Sequence, residues 1–137
     1  MPSGGNALKG ITPSSTINIC VGGTAGYAGA QTGYMAWHGF FATEASAQFK
    51  IHACMITNVN IQISTNTLNS TSTFTLMVNG SPSAITFTVG AGVTGWVGGT
   101  GAITVNEGDL IDLKIVLGGT GAQGLYFKGG GIFSYII

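Results

Sequence analysis

Four stretches in the second half of the chain alternate apolar and polar residues with a period of two, and this restricts the chain to one broad class of fold. In "NVNIQIS", Val59, Ile61 and Ile63 share one face while Asn58, Asn60 and Gln62 share the other. "STFTLMV" repeats the pattern with Phe74, Leu76 and Val78, and "AITFTV" sets Ile85, Phe87 and Val89 against Thr86 and Thr88. "LIDLKIVL" places Ile111, Leu113, Ile115 and Leu117 toward a core and Asp112 and Lys114 toward water. Successive side chains of a strand point to opposite faces, so each stretch predicts a half-buried antiparallel strand. An apolar pattern at i, i+3, i+4, i+7 is not sustained, and 24 glycines interrupt the chain.

Turn chemistry lies between these stretches. Asn79-Gly80 in "VNGSPS" is the clearest hairpin mark. "VGAGVTGWVGGTGA" and "LGGTGAQG" read as glycine-rich connections, and "FKGGGIF" leads into a closing strand. Short strands at spacings of roughly 8–12 residues predict a sandwich or barrel. The terminal "IFSYII" is apolar and belongs inside a sheet, since an exposed apolar edge invites aggregation. Earlier in the chain, "TINICV" (Thr16 to Val21) and "YMAWHGFF" (Tyr34 to Phe41) read as strands, separated by the low-complexity "GGTAGYAGAQTG". The chain thus divides into a Gly/Ala-rich arm with a first strand, residues 1–33, and a sandwich domain, residues 34–137.

Charge excludes several partners. Only 6% of the residues are Asp, Glu, Lys or Arg, against about 25% in ordinary soluble domains, and the net charge is zero. Four scattered lysines and no arginine cannot make the cationic face that a phosphate backbone or an anionic bilayer needs. Nucleic acid and membrane are therefore not expected partners. Mean hydropathy is positive at +0.43, yet no apolar run approaches the ~20 residues of a spanning helix. "MPSGGNALKG" lacks the apolar segment of a signal peptide, which predicts synthesis in the host cytoplasm without a signal peptide. A neutral Ser/Thr/Asn/Gly surface does little to hold copies apart, so self-association is expected. Cys20 and Cys54 allow one bridge; without a signal peptide, two buried small hydrophobes is the favoured reading.

Three of the four acidic residues, Glu107, Asp109 and Asp112, crowd into "NEGDLID". Paired catalytic carboxylates converge from separate elements, whereas Glu107 and Asp109 flank a single turn glycine, Gly108. The pattern predicts a strand-entry corner, with Gly108 supplying an unusual φ and Asp109 accepting backbone N–H bonds. Calcium held by Glu107, Asp109 and Asp112 is the alternative, without EF-hand register to support it. No cofactor is expected. His38 and His52 lack a Gly-x-Ser-x-Gly elbow, so no hydrolytic triad is expected and the chain reads as a non-enzyme. The aromatics placed to contact a partner are Trp37 and Trp96, with Tyr27 and Tyr34 also able to stack on sugars. Trp96, within "GVTGWVGG", reads as a loop-tip residue for subunit or capsid contact, for glycan or receptor contact, or for core filling.

From Ile56 onward the order of pieces resembles the C1q/TNF-like jelly roll in its short phage and spore-surface form. "ITNVNIQIS" is similar to an early strand of that family, and "STFTLMVNGSPSAITFTV" to its central hairpin. "ITVNEGDLIDLKI" resembles its Gly-Asp segment through Gly108 and Asp109, and "YFKGGGIFSYII" its closing strand. The resemblance implies an all-β, antiparallel two-sheet jelly-roll sandwich that packs as a homotrimer. It further implies a place on the exterior of a phage-like virion as a capsid decoration (cement) or spike protein, with the major capsid protein as partner. The alternative is a fibre-head or lectin-like module recognising a host surface glycan. On this reading Tyr126, Phe133, Tyr135 and Ile137 are the candidates for the trimer axis.

Overall fold

The computed structural model describes residues 15–18, 26–36, 39–120 and 123–136. In chain order the elements are β1 (Ser15–Asn18), β2 (Gly26–Ala28), β3 (Thr32–Ala36), β4 (Gly39–Phe41), α1 (Glu44–Ala47), β5 (Phe49–Lys50), β6 (Cys54–Asn66), β7 (Ser72–Val78), β8 (Ser81–Val89), β9 (Gly95–Val105), β10 (Leu110–Val116) and β11 (Gly124–Ile136). Among the described residues they form two antiparallel sheets. The five-stranded sheet runs β1-β11-β6-β9, with β2 also on β11; the six-stranded sheet runs β4-β3-β10-β7-β8, with β5 also on β10. From β8 to β11 each strand hands the chain to the opposite sheet, as in a jelly-roll sandwich. The closing strand β11 sits between β1 and β6, so its backbone is paired on both sides.

The inward residues of the four alternating stretches form the core. Ile61, Phe74, Leu76, Ile85, Ile111, Leu113 and Ile115 are fully buried. An aromatic cluster ties the two layers together: Phe74 of β7 stacks on Phe87 of β8 at 5.1 Å and meets Phe127 of β11 edge-on at 6.0 Å. Edge-to-face and offset pairs suit the ring quadrupoles and add to the area they bury.

Several expectations are corrected here. "YMAWHGFF" is not one strand but β3 and β4, which pair with each other through Ala36 and Gly39. Much of the glycine-rich "VGAGVTGWVGGTGA" is strand β9, and the glycines of "FKGGG" lie within β11. A Cβ on Gly99 would come within 3.1 Å of the Phe87 ring, and one on Gly101 within 2.7 Å of Ile85. Glycine there lets β9 lie close against β8, so it is a packing device rather than a connector. The four-residue α1 had no signal in the sequence. Asp112, expected in water, is completely buried, because α1 packs over the outer face of β10.

Candidate binding face and the acidic corner

The acidic residues do not converge. Asn79 and Gly80 form a two-residue hairpin turn with φ of 52° and 79°, both in the left-handed region that an Asn-Gly pair tolerates. The Asn79 amide Nδ2 donates to Asp109 Oδ1 at 3.0 Å, and Leu110 N donates to Asn79 Oδ1 at 2.9 Å. Asn106 N donates to Asp109 Oδ2 at 2.9 Å, closing the corner around Gly108, whose φ is 88°. The Asn79 bond, then the Asn106 bond, holds the Asp109 carboxyl below its usual value, because both favour the ionised form. Glu107 points outward to His52 Nδ1 at 3.2 Å, an exposed pair of little energetic weight. Asp112 faces α1. Among the described residues no three His, Cys, Asp or Glu side chains come together.

The Asn79–Asp109 contact stitches the β7–β8 turn to the β9–β10 corner. Replacing Asn79 by alanine removes both side-chain bonds and leaves a Cβ residue at positive φ without a polar side chain. The expected loss is about 1–3 kcal/mol, read as a lower denaturation midpoint at unchanged slope.

The outer face of the five-stranded sheet is where large side chains remain uncovered. Trp96 is 64% exposed, and Tyr126 and Phe133 are each 41% exposed. Directly opposed residues of antiparallel strands project to the same side. The register therefore builds two cross-strand rows about Asn60 and Gln62 of β6: Gly98–Asn60–Gly131 and Trp96–Gln62–Gly129. A third row is Thr100–Asn58–Phe133. A Cβ at Gly98 would collide with the Asn60 side chain and the Val59 carbonyl, so glycine leaves that amide room. Ser64 Oγ donates to the Tyr126 carbonyl at 3.2 Å and Thr57 Oγ1 to that of Phe133 at 3.4 Å, which fixes β11 on β6. The Asn58 Oδ1 atom is buried without a donor. Lys128 is the only charged residue on β6, β9 and β11.

This face offers amides, which both donate and accept, beside aromatic surface on a glycine-smoothed floor. Trp96 is not at a loop tip: it sits in β9 opposite Gln62. Tyr126 and Phe133 lie on one face of β11, while Phe127, Ile132 and Ser134 are buried. For Tyr135 only the backbone in β11 is described; Trp37, His38, Cys20 and Ile137 lie outside the described residues. Cys54 is a buried thiol, and burial pushes its pKa up. The amide row was visible as the polar side of "NVNIQIS"; the glycines opposite it were not, since they depend on register.

The fold is a two-sheet jelly-roll sandwich whose five-stranded sheet carries this exposed face. Its architecture is similar to that of the CBM36-1 domain of a multidomain xylanase from the hindgut metagenome of Trinervitermes trinervoides, with a TM-score of 0.50 and 9% identity over 87% of this chain and 95% of that one. A CBM36 carbohydrate-binding module solved with calcium and xylotriose aligns with a TM-score of 0.47 and 15% identity, over 86% of this chain and 98% of that one. No protein-family model matches the sequence, and no curated protein matches it.

Proposed function

We propose that this chain is a non-enzymatic structural module that assembles with copies of itself through the outer face of the five-stranded sheet. The observation that carries this reading is the co-location of Trp96, Tyr126 and Phe133, 41–64% exposed, on one face that carries almost no charge. Uncovered aromatic surface of this kind is stabilised by burial against a partner, at about 25 cal/mol per Å² of apolar area. A net charge of zero puts no repulsion between copies. The resemblance of residues 56–137 to C1q/TNF-like jelly rolls supplies the stoichiometry, a homotrimer, and the setting: the exterior of a phage-like virion, as a decoration or spike protein held on the major capsid protein. The docking arm of segment 1–33 is then drawn from the residues outside β1, β2 and β3, which are already paired in the sheets.

One specific arrangement favours a second reading. Trp96 lies on β9, an edge of the sheet, with Gln62 beside it, a stacking surface and an amide suited to a sugar ring. The solved neighbour of the same architecture is a carbohydrate-binding domain. A fibre-head module gripping a host glycan through this face would use the same residues. Light scattering on a sizing column separates the two. The proposal expects a single species of three times 13.8 kDa. A monomer whose tryptophan fluorescence is quenched by cell-surface polysaccharide would replace the first reading with the second.

A further inference from the structure

We infer that Glu44 and Asp112 share one proton, and that this proton latches α1 onto the outer face of the six-stranded sheet as a strap that opens in alkali. Asp112 is 0% exposed, and neither of its carboxyl oxygens has a hydrogen-bond donor. Glu44 Oε2 is also buried without a donor. Three acceptor oxygens from two elements are thus enclosed with nothing to bond. Two ionised carboxylates cannot share a dry site, and the simplest group that satisfies both is a proton bridging them. Divalent cations such as calcium want six to eight oxygens, and a fully enclosed Asp112 leaves no space for the water that would complete the shell.

The strap has few other fastenings. The helix α1 spans only four residues; its N-cap Thr43 makes no side-chain cap bond, meeting Ser46 Oγ at 2.9 Å instead, and Gln48 N donates to Glu44 O at 3.0 Å at its C-terminal end. So short a helix has no stability of its own. Ala47 is buried, and Met77 lies across from Asp112 in the register, so a small apolar contact surrounds the acid pair. The titratable groups of neighbouring elements do not relieve it. Lys114 follows on the same face of β10 with Tyr34 of β3 opposite it, and Lys50 of β5 pairs with Leu110. None of them donates to Asp112, and β4 and β7 carry no titratable side chain.

Burial first, then the charge of Glu44, then the bond to it raise the Asp112 carboxyl to about 8. The folded state therefore holds a proton that the unfolded chain releases near pH 4. The latch stabilises fully below about pH 4 and is lost as pH rises toward about 8, opposite to ordinary acid denaturation.

The test is a melting series on the whole chain from about pH 5 to about pH 9, with amide hydrogen exchange of residues 43–48 corrected for intrinsic rate, on wild type, Asp112→Asn and Glu44→Gln. An asparagine keeps the shape of the protonated acid and cannot lose its proton. Wild type should melt several degrees lower at the alkaline end, with exchange in 43–48 at least tenfold faster. Asp112→Asn should hold its melting point and its slow exchange throughout, and should the asparagine variant not fold, Glu44→Gln, which removes the second carboxylate but leaves Asp112 buried, should show a shallower fall than wild type. Equal slopes in wild type and variants would overturn the proposal. So would a rise in the wild-type melting point on adding millimolar calcium that Asp112→Asn lacks, since the pair would then hold a cation.

Discussion

Phe74→Ala should be the most damaging of the simple truncations, lowering stability by about 3–5 kcal/mol. Phe74 is fully buried and is the common partner of Phe87 at 5.1 Å and Phe127 at 6.0 Å. Those two rings belong to different sheets, so the change opens a cavity between the layers rather than at a margin. Neither neighbour can collapse into it, because β8 is held by β7 and β11 by strands on both sides. The melting temperature should fall by roughly 10 °C or more. Phe87→Leu, at a half-buried position, should cost less than half as much. Equal losses at the two positions would show that the aromatic cluster does not organise the core.

Phe133→Glu should dissociate the assembly proposed above and leave the subunit folded. The side chain is 41% exposed in the single chain, so the substitution costs the isolated fold little. In a symmetric trimer the change places three carboxylates on the covered face, unpaired and near one another, and affinity should drop by roughly 10³-fold or more. Val116 is the matched control. It is 42% exposed, but it lies on β10 in the other sheet. Val116→Glu should leave the native mass unchanged. If both variants dissociate, the effect is added charge rather than location.

The sequence carried the strands well where two faces differ in chemistry. Val59, Ile61 and Ile63, and Ile111, Leu113 and Ile115, face inward as their alternation requires. Asn79-Gly80 was legible because only positive φ at both positions makes that turn. Asp112 was misread for a physical reason: period two tells which face a residue takes, not whether another element covers that face. The cover, α1, is four residues long and gives no periodic signal. Trp96 was read into a loop because glycine is usually a breaker, whereas Gly99 and Gly101 are where β8 comes close. The candidate face was half legible. Its amides sit in one readable stretch, but Trp96 and Phe133 join them only through the pairing of β9 and β11 with β6.

Residue-resolved hydroxyl-radical footprinting of the native protein tests the covered face most directly. Trp96, Tyr126 and Phe133 have 64%, 41% and 41% of their surface open in the single chain, and free side chains of that kind are readily oxidised. The account predicts that all three are protected together in the native protein, and that Trp96 and Tyr126 become reactive together in Phe133→Glu chains that run as monomers. Oxidation of the three in native protein at the rates their single-chain exposure dictates would contradict it.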